Sequence, residues 1–398
     1  MSSDSLAAHR PVCGRHAGVA AAILALTLLG WGVRPAQATD GYFMTGAGVQ
    51  SKGLAGAGTA WGNDPLAAMA NPALGLQIGN AVGGNLEIFN PDRDATVGGV
   101  EFESSHEIFA LPALGYNKML GKRSSIGAVF TANGGMNTTY EQNPGPFGMS
   151  PTGVDLMQAF LGVNYAHTVG HRLTFGVMPV LAIQAFEAKG LQAFQGMSQS
   201  PADVTNRGRD WSFGGGVKVG ALWDVSPKLS IGASYQSEMW QSSFSKYKGL
   251  FAEGGSFDIP AALRAGIAVH PEPGLTLLLD YQHIYYGSIA AIANSGSNMA
   301  PLGSADGPGF GWQDMDVYTV GAEWQASPKW AFRAGYSLNS RFTNGNEAMF
   351  NILAPAVIQQ HLALGATCHL SSAWQVDGAF THAFHNTLNG ANPMLAMA

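Results

Sequence analysis

Residues 330–338 read WAFRAGYSL, and an apolar side chain stands at every second position. One face of this segment carries Trp330, Phe332, Ala334, Tyr336 and Leu338. The other face carries Ala331, Arg333, Gly335 and Ser337. Successive side chains of a β-strand point to opposite faces, so this period of two predicts a strand that is apolar on one side.

The same alternation recurs along the chain, most clearly at 229–237, 316–325 and 374–382. The pattern predicts about thirteen strands, at 80–90, 105–117, 124–139, 154–167, 172–186, 210–223, 229–245, 256–270, 274–287, 312–325, 329–341, 359–370 and 374–386. Short polar turns such as 121–124 alternate with long stretches rich in Gly, Asn, Ser and Pro, such as 187–209. Tight turns at one end and long loops at the other are typical of bacterial outer-membrane β-barrels.

Composition supports a membrane environment. Only 12% of the 398 residues are charged, against roughly 25% in a soluble globular protein. The 53 glycines follow no Gly-X-Y period, which excludes a collagen-like fibre. A hydrophobic content of 46% excludes a disordered chain. Much of the surface must therefore face something other than water.

Aromatic residues stand near the ends of the predicted strands. They are Trp211, Trp223, Trp240, Trp312, Trp324, Trp330, Trp374, Tyr285 and Tyr286. Trp and Tyr favour the boundary between membrane and water, so we expect these residues to form interfacial girdles. The alternative is that they are core aromatics of a soluble β-sandwich, which rarely carries so little charge.

The N-terminus has the three parts of a secretory signal peptide. Arg10 and Arg15 precede an apolar run at 17–33, and Ala-Gln-Ala at 36–38 is a small-residue cleavage site. We therefore expect residues 1–38 to be a signal peptide, with a single N-terminal anchor helix as the alternative.

Charge and cysteine content agree with export. Removal of the leader takes Cys13 away and leaves Cys368 as the single cysteine, so no intramolecular disulfide is expected. Residues 39–398 carry 17 basic and 25 acidic residues, a net charge of −8. Nucleic-acid binding is not expected, because it requires a basic surface.

Residues 39–79 lack a strand pattern. The run at 41–60 is rich in glycine, and each Gly inside a helix or strand costs about 0.5–1 kcal/mol relative to Ala. Asn-Asp-Pro at 63–65 can cap and begin a short helix, which Asn-Pro-Ala at 71–73 ends. A compact segment of this kind ahead of a barrel is expected to lie in the lumen as a plug.

The runs SKGLAGAGTA at 51–60 and NDPLAAMANPAL at 63–74 resemble the N-terminal hatch of the FadL/TodX family. That family consists of outer-membrane transporters for long-chain fatty acids and other hydrophobic compounds. The segments 312–324 and 362–366 are similar to late strands of the same family. The resemblance covers essentially the whole chain after the leader.

The resemblance implies an all-β fold, a transmembrane antiparallel β-barrel of about 14 strands. Residues 39–79 would be the hatch that plugs the lumen, and residues 80–398 the barrel. The implied function is passive uptake of hydrophobic small molecules, either long-chain fatty acids or hydrocarbons, by a multi-pass monomer in the outer membrane of a Gram-negative bacterium. Ligands would be caught at the outer loops, held in a lumen pocket and released sideways into membrane lipid at a kinked strand beside the hatch.

Carried over by position, the hatch triplet consists of Asn71, Pro72 and Ala73. The residues implied to approach the lumen pocket are Thr39, Tyr42 and Phe43. Among the lumen-facing charges, Lys218, Arg264 and Arg333 are candidates to bind a ligand carboxylate. The alternative is that these cations only neutralise lumen carboxylates, which are Glu238, Asp280, Glu323 and Asp377.

No catalytic or metal-binding pattern stands out, and we predict neither an enzyme nor a cofactor. The sequence contains no G-x-S-x-G, H-E-x-x-H or C-x-x-C motif. His382 and His385 would point to opposite faces of a strand, and His167 and His171 flank a turn. The alternative function is a general porin for polar solutes, which would need a lumen without a plug.

The odd strand count predicts an unpaired edge, because the family closes its barrel with a further strand. An unpaired edge facing lipid costs several kcal/mol per unsatisfied group. Three explanations are a truncated reading frame, an overlooked strand, or closure of thirteen strands with a strained register. We favour the first of these, a truncated reading frame that lacks the last strand.

Overall fold

The computed structural model describes residues 39–105 and 107–390, so the predicted signal peptide lies outside the described residues. The fold is dominated by one large antiparallel sheet, accompanied by two sheets of two short strands each. The predicted all-β class is confirmed. Within the described residues, no helix has the length and apolar character needed to cross a membrane.

The strands are numbered in chain order. They are β1 (Thr39–Asp40), β2 (Phe43–Met44), β3 (Ala81–Phe89), β4 (Asp94–Val97), β5 (Val100–Glu103), β6 (Phe109–Met119), β7 (Ser124–Tyr140), β8 (Thr152–Val169), β9 (Leu173–Lys189), β10 (Asp210–Ser226), β11 (Leu229–Gln236), β12 (Trp240–Gln241), β13 (Ala262–Val269), β14 (Leu275–Ile284), β15 (Met315–Gln325), β16 (Trp330–Asn339), β17 (Gln360–His369) and β18 (Gln375–Ala383).

The helices are short. The α-helices are α1 (Val49–Gly53), α2 (Gly75–Ile78), α3 (Ala252–Gly255), α4 (Ala290–Ala293) and α5 (Ala348–Asn351). The 3₁₀ helices are Pro65–Met69, Pro72–Leu74, Gln192–Met197, Pro201–Asp203, Ser245–Tyr247, Tyr286–Ser288 and Gly345–Glu347.

The main sheet has 14 strands, of which β12 is a short branch paired with β10. The others pair in chain order from β3 to β18, apart from the β4–β5 hairpin, which lies outside the sheet. No ladder joins β3 to β18 within the described residues. Neighbours in an antiparallel sheet alternate in direction, so these two end strands run the same way. We call the space between β3 and β18 the seam.

The burial of side chains along the strands follows the alternation from which the strands were predicted. Along β16, inward positions are buried and outward positions are half-buried or exposed. Leu338 is 44% exposed, whereas its neighbour on the inner side, Ser337, is fully buried. The apolar face of each strand is therefore the outer face of the sheet.

The girdle prediction is correct for part of its residues. Trp211, Trp223, Trp240, Trp324 and Trp374 are exposed. Trp312 and Tyr286 were predicted in the same girdles, and this prediction is wrong because both are buried among the long loops. The period-two pattern does not extend into those loops, so it could not assign a face to either ring.

The predicted strand at 229–245 is interrupted between Gln236 and Trp240. At the interruption, Ser237 Oγ accepts a hydrogen bond from the backbone N–H of Val217 at 3.0 Å. A side-chain oxygen therefore replaces a ladder carbonyl. The next predicted strand begins later than expected, at Ala262.

Two short pairings were missed. The β4–β5 hairpin turns at Gly98 and Gly99, which both have positive φ. The β1–β2 pair lies in the segment 39–79, where no strand was expected. Each pairing is too short to show a recognisable alternation.

Residues 39–79, called the hatch below, pack inside the sheet. Helix α1 lies against β16, β17 and β18, and the two 3₁₀ helices lie against β6 to β10. A side chain at Gly220 would collide with Asn71, and one at Gly232 would collide with the carbonyl of Thr59. These wall glycines therefore make room for the hatch. Gly162, Gly214 and Gly216 instead face neighbouring wall residues, namely Met178, Trp240 and Ser237.

The long loops share one hydrophobic core at the end of the sheet opposite the tight turns. Its large, fully buried members include Phe147, Phe194, Phe244, Tyr247, Phe257, Tyr286 and Trp312. We call this cluster the outer aromatic core. By the rule that long loops face the cell exterior, it covers the outer end of the barrel.

Candidate functional site

A cavity of about 80 Å³ lies between the hatch and the inner wall, and we call it the central cavity. Its apolar lining includes Phe43, Met44, Met69, Phe160, Met239 and Ile259. Its polar lining includes Asn133, Gln158, Lys218, Ser234, Gln236 and Arg264. One water needs roughly 10–15 Å³ of such space, so the cavity has room for a small ligand group. Apolar walls with a few polar groups are typical of small-molecule sites.

Strands β10 and β11 hold the hatch beside this cavity. Lys218 Nζ donates a hydrogen bond to the carbonyl of Met69 at 2.9 Å. Ser234 Oγ donates to the next carbonyl, that of Ala70, at 2.6 Å. The amine of Lys218 is therefore fixed at the cavity wall by a hatch carbonyl.

Arg264, on β13, also lines the central cavity. The charges of Asp280 and Asp40 act on it. Asp280 Oδ2 accepts hydrogen bonds from the backbone N–H groups of Gly58 at 2.9 Å and Thr59 at 2.8 Å. Burial raises the pKa of the hatch residue Asp40 to about 6, against the opposing effect of the Arg264 charge. The positive charge of Arg264 is therefore partly compensated by nearby carboxylates, which weakens its electrostatic attraction for an anionic ligand.

The predicted pocket residues of the hatch lie in different places. Phe43 lines the central cavity. Tyr42 is fully buried in the outer aromatic core, where its N–H donates to Tyr286 Oη at 3.2 Å. Thr39 lines a second cavity, described below. The start of the hatch therefore connects the lumen to the loops.

A chain of amides runs from the hatch along the wall. Asn133 Nδ2 donates to the carbonyl of Tyr42 at 2.6 Å and to Gln158 Oε1 at 2.9 Å. Gln158 Nε2 donates to Gln184 Oε1 at 3.1 Å, and Gln184 Nε2 donates to the carbonyl of Phe257 at 2.8 Å. Buried amides need such partners, so the chain links β7, β8 and β9 to the outer aromatic core.

Strand β7 has a bulge beside the hatch. Its register with β8 shifts between Asn133 and Met136. Gly135 has a φ of 58°, a conformation that favours glycine. A small cavity of about 30 Å³ adjoins this bulge and is lined by Thr39, Gly134, Gly135 and Pro355, among others. We call it the bulge cavity.

Arg333 does not line the central cavity. Its Nε donates to Glu323 Oε2 at 2.6 Å, and its Nη1 donates to Thr367 Oγ1 at 2.7 Å. Asp377 Oδ1 lies 3.8 Å from the same Nη1. The guanidinium thus neutralises wall carboxylates, which is the alternative that the sequence left open.

The hatch triplet lies where the two 3₁₀ helices meet. Asn71 is fully buried. Its Nδ2 donates to the carbonyls of Thr59 at 2.8 Å and Ala221 at 3.1 Å, and its Oδ1 accepts from the N–H of Ala73 at 3.0 Å. One side chain thus joins two parts of the hatch to β10. Pro72 opens the helix that Asn71 caps.

Sequence reasoning missed several lining residues. Met239 and Ile259 fall within the predicted strands 229–245 and 256–270, but the structure joins them by an isolated antiparallel bridge at the interruption after β11. Asn133 and Gln158 fall within the predicted strands 124–139 and 154–167, and neither was singled out as a lining residue. The Gly-Gly pair at 134–135 is the signal that could have placed the bulge, because glycine inside a strand often marks one.

The plugged sheet, its central cavity and its apolar outer face define a membrane transport barrel. The sequence model of the family described as outer membrane protein transport protein (OMPP1/FadL/TodX) matches residues 36–393. The chain belongs to this family, whose members are transport proteins of the outer membrane rather than enzymes. No curated protein sequence matches the chain.

Solved structures share the fold. The toluene transporter TbuX of Ralstonia pickettii is 20% identical, with a TM-score of 0.63 over 86% of this chain and 94% of its own. The toluene transporter TodX of P. putida is 18% identical, with a TM-score of 0.62 over 86% and 100%. A FadL homologue of Pseudomonas aeruginosa is 15% identical, with a TM-score of 0.62 over 85% and 90%. At these identities the likeness establishes the fold.

Proposed function

We propose that this protein is a channel for passive uptake of hydrophobic compounds across the outer membrane of a Gram-negative bacterium. The observation that carries the proposal is the mostly apolar central cavity enclosed between the hatch and the wall. The similar folds of two toluene transporters support it. In this reading, residues 1–38 are a removed signal peptide, residues 39–79 are the hatch, and residues 80–398 form a multi-pass barrel that works as a monomer.

Such transport needs no energy source. An apolar molecule gains roughly 0.8 kcal/mol for each CH₂ group that leaves water. The polar outer layer of the membrane is the barrier, and a cavity that leads past it lowers this barrier. Passage towards the bilayer is then downhill, so neither a cofactor nor a nucleotide is required.

The proposed route begins at the outer loops and passes through the central cavity. Release into the bilayer would occur at the bulge of β7, because the bulge cavity meets the wall there. A bulge interrupts the ladder and leaves a residue unpaired. The hydrogen-bonded wall is therefore weakest, and opens most readily, at Gly134 and Gly135.

Uptake by whole cells tests the function. Cells that lack other channels for hydrophobic compounds should take up radiolabelled toluene or oleate faster when they produce this protein than with an empty vector. In planar bilayers the same protein should show little steady conductance, because the hatch fills the lumen. A large steady conductance without hydrocarbon or fatty-acid uptake would instead identify a general porin.

The cavity cations distinguish two substrate classes. If the ligand is a fatty acid, Lys218→Met and Arg264→Met should each weaken oleate binding about 10- to 100-fold, since a hydrogen bond to a charged group contributes about 1.5–3 kcal/mol. Toluene binding should be unchanged. Detergent-solubilised protein and a fluorescent fatty-acid competitor provide the measurement.

Lys329→Met, at an exposed turn, is the matched control for loss of a positive charge. Arg264→Lys should restore part of the oleate affinity. Unchanged oleate affinity in both methionine variants would remove these cations from the site and favour a neutral hydrocarbon as the substrate.

A further inference from the structure

The end of the barrel opposite the long loops carries a concentration of positive charge. The turns β6–β7, β8–β9 and β10–β11, with the adjoining strand ends, span residues 118–124, 167–173 and 224–229. Asp224 is the single acidic residue of these segments. Their basic residues are Lys118, Lys122, Arg123, Arg172 and Lys228. All five are exposed, and we call them the basic arc.

The backbone places three residues of the basic arc at equivalent positions. Arg123, Arg172 and Lys228 stand immediately before β7, β9 and β11. Their carbonyls accept hydrogen bonds of 2.8, 2.8 and 2.9 Å from the backbone N–H groups of Thr168, Asp224 and His270. Adjacent turns lie two strands apart, or about 10 Å. The three turns therefore form one continuous cationic edge. Lys329 precedes β16 in the same way, but the β13–β14 turn, which carries Glu272, separates it from this edge.

No carboxylate of the protein neutralises the basic arc. Within residues 39–105 and 107–390, none of its five side chains forms an ion pair. Arg172 Nη1 donates a hydrogen bond to the carbonyl of Val225 at 2.7 Å, and Lys228 Nζ donates to that of Pro271 at 3.2 Å. These bonds to neutral acceptors hold two side chains in place and leave their charges uncompensated.

The outer loops treat their cations differently. Lys189 lies 3.5 Å from a carboxylate oxygen of Glu187. Arg207 and Lys248 lie 3.6 and 3.4 Å from carboxylate oxygens of Asp203. Residues 39–398 contain more acidic than basic residues, 25 against 17, so carboxylates are abundant in this chain. Since the basic arc nevertheless has none, its counter-charge has to come from outside the chain.

Aromatic side chains place the basic arc at the level of lipid headgroups. Tyr116, Tyr165 and Trp223 are exposed on the outer face of β6, β8 and β10. Trp223 pairs with Leu173, the residue that follows Arg172. Trp and Tyr favour the boundary between membrane and water. Lys118 lies two positions after Tyr116 and therefore shares its lipid-facing side of the strand.

We propose that the basic arc binds the anionic headgroups of phospholipids in the membrane leaflet that meets the tight turns. In outer-membrane barrels the short turns face the periplasm, so this is the periplasmic leaflet. Phosphate oxygens accept strong hydrogen bonds from lysine and arginine, and the acyl chains lie along the apolar outer face beside Tyr165 and Trp223. The arc selects lipids of net negative charge over zwitterionic lipids. This inference concerns the lipid around the barrel and does not depend on what the barrel carries.

Lipid binding to the purified, folded barrel tests the inference. Native mass spectrometry in an uncharged detergent measures the dissociation constants of two probes, dioleoylphosphatidylglycerol and dioleoylphosphatidylcholine. The arc variant combines Lys122→Gln, Arg123→Gln, Arg172→Gln and Lys228→Gln. The matched control combines Lys189→Gln, Arg207→Gln, Lys248→Gln and Arg341→Gln, which remove the same two lysines and two arginines from exposed positions in the outer loops. Heat-modifiable gel mobility checks that each variant is folded.

The native protein and the outer-loop control should bind phosphatidylglycerol about 5- to 30-fold more tightly than phosphatidylcholine, as expected when one or two cations contact each headgroup. The arc variant should bind both lipids with affinities within about twofold of each other. Exchanging lysine for arginine and arginine for lysine at the same four positions keeps the charge and should keep the preference. An undiminished preference in the arc variant, or an equal loss in the outer-loop control, would overturn the inference.

Two measurements on the native protein test the site without any substitution. Raising the ionic strength from about 0.15 M to about 1 M should abolish the preference for phosphatidylglycerol, because salt screens exposed charges. A preference that survives high salt would contradict recognition by the basic arc. Glycerol 3-phosphate at the concentration of the lipid should displace no phosphatidylglycerol, and displacement would show that the site takes a free phosphate rather than a lipid. Neither measurement involves transport, so each outcome is separate from the test of the channel function.

Discussion

Replacing Asn71 with alanine should release the hatch from the lumen. A barrel whose lumen is plugged should then become permeable to ions. The change removes the side-chain partner of the buried carbonyl of Thr59, the buried N–H of Ala73 and the partly buried carbonyl of Ala221. Each unsatisfied buried group costs about 1–3 kcal/mol, so the two fully buried groups, at Thr59 and Ala73, should together cost the hatch about 2–6 kcal/mol of its stability. We expect steady conductance in planar bilayers and faster proteolysis within residues 39–79.

Asn71→Asp separates the two roles of the side chain. Aspartate keeps the oxygen that accepts from Ala73 but cannot donate to the two carbonyls, so its conductance should be at least that of the alanine variant. Asn298→Ala is the matched control, because Asn298 Nδ2 donates to the carbonyl of Asp306 in an exposed loop. If Asn71→Ala stays as closed and as protease-resistant as this control, the hatch is not held by its triplet.

Breaking the ion pair between Lys52 and Glu87 should loosen the seam. Lys52, in α1 of the hatch, places its Nζ 2.9 Å from Glu87 Oε2 on β3, and the two side chains are only 13% and 17% exposed. The carbonyl of Lys52 accepts a hydrogen bond from Thr381 Oγ1 on β18 at 3.4 Å. Beside it, Gln50 Nε2 donates to Asp377 Oδ1, also on β18, at 3.4 Å. One helix thus connects both sheet ends.

Lys52→Ala leaves a largely buried carboxylate unpaired. Removing one partner of a fully buried pair costs about 3–5 kcal/mol, and partial solvation inside the lumen should reduce this to about 2 kcal/mol. Unfolding in dodecyl sulfate should then be about 30-fold faster, as measured by heat-modifiable gel mobility.

Charge reversal supplies the control for this pair. Lys52→Glu and Glu87→Lys should each unfold faster than Lys52→Ala, because like charges then face each other. The double reversal should recover much of the native rate. Equal rates for the native protein and both single reversals would contradict a role of the pair in holding the seam.

The strand periodicity predicted much of the barrel because lipid and lumen impose opposite demands on alternate side chains. That contrast placed β16 almost to its ends, since a strand was predicted at 329–341 and β16 spans Trp330–Asn339. The Asn-Asp-Pro start of the first 3₁₀ helix was also readable, since Asp64 Oδ1 accepts from the N–H of Leu66 at 2.7 Å.

The rest of the fold and of the site depends on contacts between residues that are distant in sequence, and a local sequence pattern does not show such contacts. Trp312 and Tyr286 belong to a core assembled from separate loops, so neither shows a period. Lys52 and Glu87 look like ordinary charges until the fold brings the hatch to β3. The central cavity likewise combines Met69 of the hatch with Met239 of the wall, and neither methionine is unusual in sequence.

The way the seam is held has a consequence for engineering this barrel as a nanopore. In a barrel closed by a continuous ladder, deleting the plug yields a wide, empty pore. Here helix α1 spans the two sheet ends, and the described residues supply no ladder between them. Excising the hatch would therefore remove the contacts by which the described residues connect β3 to β18, and unpaired sheet edges are costly in lipid. A useful pore design would first link β3 to β18 independently of the hatch, and only then empty the lumen.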